Sequence, residues 1–326
     1  MTAPMPLPII NYTPPFCVTR ASHIAMTVTD LPKSLDFYQE IAGLALTERI
    51  GDVAYLRGLE EDCHHSLTLT GARGGDAECE QVGFRVRSDD DLDRAANFFE
   101  ELGLDPVWAD VPHQQKTLRV RDPQGIPLEF CSAMTTQPRL HSRIERHRGG
   151  CALRFDHTQV NVSDVRKAAQ FFASFGFMIS DYAYTPKGDM VSAFMRRKNN
   201  PHDIVFGSRT GPRLHHFAYV VESQNLLRAG DVAASLGLSR QVEFGPSRHG
   251  QDHAAFIYLR DPDGHRVELL GHPIQLVDME SEPIGRDITD RAQFAPWGQL
   301  APATFLADAS PFPGEPQYEP LVPRTW

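Results

Sequence analysis

Cysteine is scarce in this sequence: the 326 residues include only five, and no two of them form a Cys-x-x-Cys pair. The odd count and the spacing argue against a disulfide framework or a thiolate zinc site, and they favour a reducing cytoplasm. No stretch reaches about 18 apolar residues, so no membrane-spanning helix is expected. Positive charge is in deficit, and a net charge of −10 argues against nucleic acid or an anionic membrane as partner.

Internal repetition is the main feature that the sequence does have. RDPQGIPLEF at 121–130 and RDPDGHRVELL at 260–270 share a turn signature followed by an apolar strand with one glutamate. Four segments repeat a βαβββ pattern of about 50 residues each. Because one such unit is too small to bury its own core, the units should pair. The sequence therefore predicts an α+β fold, with four βαβββ modules paired into two open barrels.

Helix boundaries follow the same repeat. Each predicted helix has a polar residue at its start and a glycine just beyond its end, as expected for an N-cap and a left-handed C-terminal residue. The predicted N-caps are Asp30, Ser88, Asp164 and Ser223, and the glycines are Gly43, Gly103, Gly176 and Gly237. These signals fix where four helices should begin and end.

The repeat also predicts a division of the chain. We expect an N-terminal arm, a first barrel without metal, a polar linker, a second barrel with the catalytic site, and a Pro-rich tail. The tail could cover the pocket, cross to another subunit, or be mobile. The corresponding ranges are 1–20, 21–137, 138–150, 151–275 and 276–326.

Histidines and glutamates recur at matching places in the two halves. His157 and His216 begin two strands of the second half, and Glu268 lies on a third. If all three face the barrel interior, they could hold a metal such as Fe(II) or Mn(II) and leave coordination positions open. A single histidine on a strand is more often a hydrogen-bonded core residue, but two histidines and a glutamate at one register are harder to explain that way. A carboxylate in an apolar strand also needs a cation or another partner.

The first half has lost part of this set. An offset of 134 residues places His23 opposite His157 and Val82 opposite His216, while Glu129 matches Glu268. Valine cannot bind a metal, so one metal per chain is predicted, and His23 and Glu129 are expected to be structural. His64 and His65 are expected at the surface.

The motifs FDHTQV, GPRLHHFAYVV, GPSRHGQDHAAFIYLRDPDGHRVELL and VTDLPKSLDFYQEIAGL resemble the type I extradiol catechol dioxygenases of the vicinal oxygen chelate superfamily. Within that group the chain is most similar to the homoprotocatechuate 2,3-dioxygenases, over roughly residues 20–275. The resemblance implies cleavage of a catechol ring beside the diol with both atoms of O2, without an organic cofactor. It also implies a homo-oligomer, by analogy a tetramer.

Particular roles follow from that resemblance. His157, His216 and Glu268 match the metal ligands, and His202 matches an acid–base histidine. His249 matches a histidine that hydrogen-bonds the bound catecholate, and Tyr258 a tyrosine that contacts the same oxygens.

Four positions around the substrate depart from the family pattern. Phe244 stands where an arginine binds the substrate carboxylate, and a second such arginine aligns with Gln293 or Phe294, or with Arg291 if a small gap is allowed. Phe194 replaces a tryptophan and Gln159 an asparagine. These changes predict a catechol with a neutral or apolar substituent.

Two alternatives stay open. The first is homoprotocatechuate 2,3-dioxygenase activity itself. The second is a metal-dependent enzyme of the glyoxalase or fosfomycin-resistance kind, built from the same paired units. Drug-binding proteins of this fold need no metal and lack the triad. The ligand set accepts either Fe(II) or Mn(II), so the sequence does not choose between them.

Overall fold

A computed structural model describes residues 6–72 and 74–323 of the chain. It contains two mixed β-sheets, one from each half of the sequence. The first sheet has eight strands: β1 (Val18–Val28), β2 (Ala45–Ile50), β3 (Val53–Arg57), β4 (Leu67–Gly71), β5 (Cys79–Val86), β6 (Val107–Ala109), β7 (Thr117–Arg121) and β8 (Pro127–Cys131). β1 begins inside the stretch predicted as an N-terminal arm.

The strand order of the first sheet shows how two repeats combine. The order is β2-β3-β4-β1-β5-β8-β7-β6, and β1 and β5 pair antiparallel at the centre. Within each repeat the first strand pairs in parallel with the last, β1 with β4 and β5 with β8. Two βαβββ modules are thus joined through their first strands, which confirms the predicted α+β class and the pairing of modules. β2 and β6 form the two edges, so the sheet is open.

The second sheet repeats this arrangement and recruits strands from the tail. Its strands are β9 (Arg154–Val162), β10 (Met178–Tyr184), β11 (Met190–Arg196), β12 (Ile204–Ser208), β13 (Arg213–Val220), β14 (Val242–Arg248), β15 (Ala255–Arg260), β16 (Arg266–Leu270), β17 (Ile284–Asp287) and β18 (Ser310–Pro311). The order is β14-β15-β16-β13-β9-β12-β11-β10-β17, with β18 beside β13. β13 therefore lies between β9 and β16 at the centre of this sheet.

Among the described residues, five α-helices and a few short turns of helix complete the fold. They are α1 (Leu31–Asp36), α2 (Asp89–Glu101), α3 (Val165–Ser174), α4 (Asn225–Ser235) and α5 (Ala303–Ala307), with a π-helical turn at Phe37–Ala42 and 3-10 turns at Ile144–Arg146, Ser239–Gln241 and Arg291–Gln293. No helix in residues 6–72 and 74–323 is both long and apolar enough to cross a bilayer.

Three of the four predicted N-caps are confirmed. The side chains of Asp30, Ser88 and Asp164 each accept a hydrogen bond from the backbone N–H three residues on. The prediction that Ser223 is an N-cap is wrong, because α4 starts after Gln224. The backbone carbonyls of Glu222 and Ser223 accept hydrogen bonds from the first N–H groups of this helix instead. The four predicted glycines all have left-handed φ angles, between 73° and 92°.

The two halves share one apolar core. Phe16 of the N-terminal segment stacks on Phe175, which follows α3, with ring centroids 5.4 Å apart. Phe84 on β5 meets Phe177 edge-on at 5.6 Å. Because these rings are at most 1% exposed, neither half could be separated without exposing aromatic surface.

The repeated Arg-Asp-Pro-x-Gly turns join the halves. In each turn the first aspartate accepts from backbone N–H groups two and four residues on, at Asp122 and at Asp261. The tip of each turn then reaches the start of a helix in the other half. Asp263 accepts from the N–H of Thr29 at 2.9 Å, and the side-chain amide of Gln124 accepts from the N–H of Asp164 at 3.1 Å. The Arg-Asp-Pro-x-Gly motif thus occurs twice because each copy makes the same kind of hydrogen bond to the other half.

A second pair of cross-connections is also reciprocal. Glu61 Oε1 accepts from the N–H of Phe155 at 3.0 Å, and Asp203 Oδ1 accepts from the N–H of Ala21 at 2.6 Å. Phe155 and Ala21 occupy equivalent positions on β9 and β1. Asp203 also accepts two backbone N–H groups of its own loop, so it fixes the segment that carries His202.

Candidate metal centre

Three neighbouring strands bring the predicted ligands together. His157 lies on β9, His216 on β13 and Glu268 on β16. The two Nε2 atoms are 3.1 Å apart, and each lies 3.3 Å from Glu268 Oε2. All three residues are buried. The predicted triad is therefore assembled, with its three donor atoms converging on one point.

The far sides of the two imidazoles are already engaged. His157 Nδ1–H donates to Asp156 Oδ2 at 2.8 Å, and His216 Nδ1 lies 2.7 Å from His215 Nδ1. Each ring thus presents Nε2 to the interior, and Glu268 Oε2 is buried without an aligned hydrogen bond among the described residues. Two imidazole nitrogens and a carboxylate oxygen in this arrangement fit a divalent metal ion.

Electrostatics of the triad agree with this fit. Burial raises the pKa of Glu268, but contacts from His157, His216 and His249 outweigh it and hold that pKa well below its usual range. Burial also lowers the pKa of His157, yet Asp156 and Glu268 together raise it to about 9. For His216 burial dominates and lowers the pKa to about 4. A divalent ion bound here would need both Nε2 atoms unprotonated and the carboxylate ionised, so metal binding would compete with protons.

Three further predicted residues surround the triad. His249 Nε2 lies 2.8 Å from Glu268 Oε1, and the Tyr258 hydroxyl lies 3.3 Å from His249 Nε2. The ring of His202 meets His157 edge-on, with centroids 4.1 Å apart. Burial and the neighbouring His157 lower the pKa of His202 well below its usual value, so the imidazole is neutral. Its Nδ1 is buried and has no hydrogen-bond partner among the residues described.

These residues line one cavity of about 390 Å³. Every predicted substrate-binding residue lies on its wall, namely Gln159, Phe194, Phe244 and Arg291. Phe294 also lines the cavity, so among the aligned alternatives both Arg291 and Phe294 reach it. The triad is part of this wall, and aromatic rings form much of the remainder. Such a cavity suits a small ring with an apolar substituent.

Much of that wall comes from the tail, which sequence reasoning left undecided. Besides Arg291, the tail residues are Phe294, Ala295, Gln299, Leu300, Ala301, Phe305 and Leu306. The tail is anchored where β17 pairs with β10, where Arg286 Nε contacts Asp181 Oδ2 at 2.6 Å, and where Tyr318 pairs with Gly211. No periodic pattern marks these residues; their aromatic and small apolar composition was the only signal.

Comparison with known proteins identifies the family. The sequence profile of the Glyoxalase/Bleomycin resistance protein/Dioxygenase superfamily matches residues 20–130 and 154–269. The chain belongs to this superfamily. Each matched range covers the paired modules of one sheet, and only strands β17 and β18 of the tail lie wholly outside the matches.

Individual relatives show which members of the superfamily the chain is similar to. A manganese-dependent 2,3-dihydroxybiphenyl 1,2-dioxygenase from Geobacillus genomosp. 3 is 29% identical over 286 residues, which is 82% of this chain and 89% of that protein. A metapyrocatechase from Geobacillus stearothermophilus is 26% identical, covering 85% of this chain and 88% of the relative. These relatives match along most of their length.

Solved structures give the same result. A variant of homoprotocatechuate 2,3-dioxygenase from B. fuscum superposes with a TM-score of 0.91 at 30% identity, covering 98% of this chain and 90% of that one. The anaerobic complex of the Brevibacterium fuscum enzyme with 3,4-dihydroxyphenylacetate has a TM-score of 0.87 at 32% identity, covering 94% and 95%. The resemblance to extradiol dioxygenases is confirmed.

The first half corrects one residue equivalence. Glu129 pairs in register with Gly83, whereas Glu268 pairs with Ala218. The residue that matches His216 is therefore Gln81, and the assignment of Val82 was wrong by one position. Neighbouring residues on a strand face opposite sides, so Val82 points into the apolar core while Gln81 takes the ligand position.

In the first half an arginine occupies the role that a metal ion would have beside Glu268. Glu129 is contacted by His23 Nε2 at 2.7 Å, Gln114 Nε2 at 2.8 Å and Arg119 Nε at 2.6 Å. Arg119 faces Glu129 across β7 and β8, as Tyr258 faces Glu268 across β15 and β16. The glutamate of the first RDPxG strand is therefore neutralised by a guanidinium rather than by a metal.

We expect His23→Ala to destabilise the fold without affecting metal content. His23 is buried against Gly83, and its loss would leave a cavity and remove a hydrogen bond to Glu129. The unfolding free energy should fall by about 2–3 kcal/mol in denaturant titrations. An unchanged midpoint would contradict the structural role.

Lowering the pH should destabilise the fold by protonating the Glu129 carboxylate. Burial raises the pKa of Glu129, but its partners, led by His23, lower it from 4.5 to about 2. Its contribution to stability is therefore present above pH 4.5 and is lost as the pH falls towards 2.

His64 and His65 are buried, so the expectation that they lie at the surface was wrong. His64 and His113 both approach Glu48 Oε2, at 3.4 and 2.8 Å. Their rings stack at 3.6 Å with only 4° between planes. The donor atoms of Glu48, His64 and His113 lie close together, but the Glu48 side chain is 40% exposed, unlike the fully buried His157–His216–Glu268 set.

Proposed function

We propose that the chain is an extradiol dioxygenase that opens a catechol derivative beside its diol and incorporates both atoms of O2. The observation that carries the proposal is the buried His157–His216–Glu268 set on the wall of a cavity that is rich in aromatic side chains. Similarity to extradiol enzymes along nearly the whole chain supports it. The product would be a muconic semialdehyde, formed during aromatic degradation.

The triad would hold Fe(II) or Mn(II). The name of one relative records manganese dependence, and the ligand set accepts either ion. When bound, such an ion supplies Lewis acidity and a redox connection between the diol and O2. The protein supplies the remaining functions through its own side chains.

His249 and Tyr258 would hold the diol. Both lie beside Glu268, and their ring nitrogen and hydroxyl can hydrogen-bond substrate oxygens. The His202 ring lies against that of His157, and its buried Nδ1 has no hydrogen-bond partner in the part of the chain that the structure describes. A neutral imidazole in this place can accept a proton from the diol and return it later in the reaction.

Oxygen consumption tests this function. Metal-loaded protein should take up O2 with a catechol and form a yellow product. A glyoxalase-like or fosfomycin-resistance-like enzyme, or a metal-free binding protein, would leave O2 unchanged. Absence of uptake across a panel of substituted catechols, with metal demonstrably bound, would refute the proposal.

The pocket favours an apolar substituent on the catechol. Phe244 is buried and stacks parallel to Tyr258, with centroids 5.9 Å apart, and Phe194 meets His202 edge-on. Neither can neutralise a carboxylate. Arg291 lines the cavity from an exposed position. Of the four predicted substrate-binding residues it alone carries a positive charge, so it is the one that could bind an acidic substituent.

We expect kcat/KM for a 4-alkylcatechol to exceed that for homoprotocatechuate by about tenfold to a thousandfold. Burying an apolar group contributes roughly 1.5–3 kcal/mol, and a buried carboxylate without its cation loses about 2–5 kcal/mol. Both substrates should be measured in wild type and in Arg291→Ala. If homoprotocatechuate is preferred by wild type but not by the variant, Arg291 binds the carboxylate, and the enzyme acts as a homoprotocatechuate 2,3-dioxygenase.

The setting of the enzyme is part of the proposal. We infer a cytoplasmic homo-oligomer, a tetramer by analogy, whose first barrel at 21–137 is structural and whose second at 151–275 is catalytic. All five cysteines are free thiols, which is consistent with a reducing compartment.

A further inference from the structure

We infer that His215 is a positioning residue, which uses the backbone carbonyl of Phe305 in the tail to fix the tautomer of the ligand His216. The inference rests on the proposed metal-binding function. It assigns a specific task to a histidine outside the triad and to a segment that has no recognisable motif. Each step follows from hydrogen-bonding roles.

The first step concerns the proton on His215. Its Nε2 lies 2.8 Å from the carbonyl oxygen of Phe305. A carbonyl oxygen can only accept, so Nε2 must carry hydrogen. His215 is 3% exposed, and the guanidinium of Arg266 donates to its backbone carbonyl at 2.8 Å. An imidazolium would be unfavourable beside that cation, so His215 is neutral and its Nδ1 bears a lone pair.

The tautomer of His215 determines the tautomer of the ligand His216. His215 Nδ1 and His216 Nδ1 are 2.7 Å apart. Because His215 Nδ1 can only accept, His216 Nδ1 must donate. Its Nε2 then holds a lone pair, which is the form that binds a metal. The opposite tautomer of His216 would place two lone pairs against each other and direct an N–H towards the metal position.

The third step is how the carbonyl is held. Arg266 is buried, contacts Glu243 at 2.6 Å, and donates to the carbonyls of Thr304 and Asp308 at 3.3 and 3.1 Å. These bonds clamp both ends of α5 around Phe305. The Phe305 ring also packs against the His215 ring, with centroids 4.7 Å apart. The acceptor that sets the tautomer is therefore rigidly placed.

His157, the other histidine of the triad, is oriented by a single hydrogen bond rather than by two in series. His157 donates directly to the carboxylate of Asp156, the residue before it. His216 also relies on the residue before it, but that residue is a histidine and needs an external acceptor to define its proton. The tail thus contributes to metal binding as well as to the pocket wall.

Two amide substitutions separate the roles of the two His215 nitrogens. In His215→Asn the side-chain oxygen takes the place of Nδ1 and can accept from His216, but it is too short to reach Phe305. In His215→Gln the terminal amide takes the place of Nε2 and can donate to Phe305, but nothing accepts from His216. His215→Leu removes both contacts. Mn2+ affinity of the metal-free full chain is measured by calorimetry, and folding by thermal unfolding.

We expect His215→Asn to bind Mn2+ within about threefold of wild type, and His215→Gln and His215→Leu about 10–100-fold more weakly. If His215 only fills space or anchors the tail, Gln should retain affinity and Asn should lose it. That order, or three equal affinities beside a tight wild type, would overturn the inference alone. Failure of wild type to bind Mn2+ or Fe2+ would overturn both the inference and the proposed function.

A fourth variant guards against misfolding of the others. Phe305→Ala removes the ring that packs on His215 but keeps the carbonyl that accepts from it. Its Mn2+ affinity should stay within about threefold of wild type, which is less than loss of a ligand's orienting partner costs. A tenfold loss in this folded variant would show that packing, rather than the carbonyl, holds His216 in place, and would also refute the inference.

Discussion

His216→Ala should remove metal and activity together. The substitution leaves His157 and Glu268 as the only members of the triad, and two protein ligands hold a divalent ion poorly. Metal content should fall to a small fraction of one ion per chain, and kcat/KM by roughly 10³-fold or more, since the metal-assisted step has no substitute. Elemental analysis and O2 uptake on the same preparation would check both values.

The first half provides the matched control. His23→Ala alters the residue equivalent to His157, but there Glu129 already has Arg119 as its cation. That variant should keep one metal per chain and normal kcat/KM, despite its lower stability. Two ions per chain in wild type, or metal loss in His23→Ala, would contradict a single site in the second half.

The fold could be predicted because the chain repeats its local signals. Each unit has an alternating strand, a capped helix and a following glycine, and these depend on neighbouring residues rather than on distant contacts. Asp164 illustrates this, since it caps α3 in the structure as its position predicted. Ser223 failed because a turn of backbone carbonyls can begin a helix without a side-chain cap. Sequence cannot show which of the two will be used.

The ligands were predictable for a related reason, and Val82 shows the limit. A triad on three strands needs only the right residue types at one register, which the repeat supplies. The register itself depends on how strands pair, and a one-residue shift exchanges the core-facing and cavity-facing sets. Gln81 and Val82 are adjacent in sequence, so only the pairing of Gly83 with Glu129 decides between them.

The tail and the histidine pair at 64–65 could not be read from the sequence. Phe305 and Leu306 reach the cavity because Arg266 and β13 hold the segment around them, and these contacts join residues 42 to 98 positions apart in sequence. His64 and His65 resemble surface histidines in a polar stretch. They are buried because Tyr55 packs against both rings, with centroids 5.3 and 5.0 Å away. Long-range packing of this kind leaves no local pattern.

His202→Phe should leave metal bound but slow turnover about 10²–10⁴-fold, which is the usual contribution of a positioned acid–base group. Phenylalanine keeps a planar ring beside His157, where the imidazole now lies edge-on at 4.1 Å, so the triad should keep its shape. What is lost is a neutral imidazole on the cavity wall, one of whose nitrogens is buried without a hydrogen-bond partner among the described residues.

Equivalent residues supply the control for this experiment as well. Leu67 pairs with Ile24 as Ile204 pairs with Thr158, so His65 occupies the position in the first half that His202 occupies in the second. His65→Phe should therefore leave turnover unchanged, whatever it does to stability. Turnover and metal content should be measured for both variants under one set of conditions. An unaltered turnover number in His202→Phe, with one metal bound per chain, would remove His202 from proton transfer and assign that role to His249 or Tyr258.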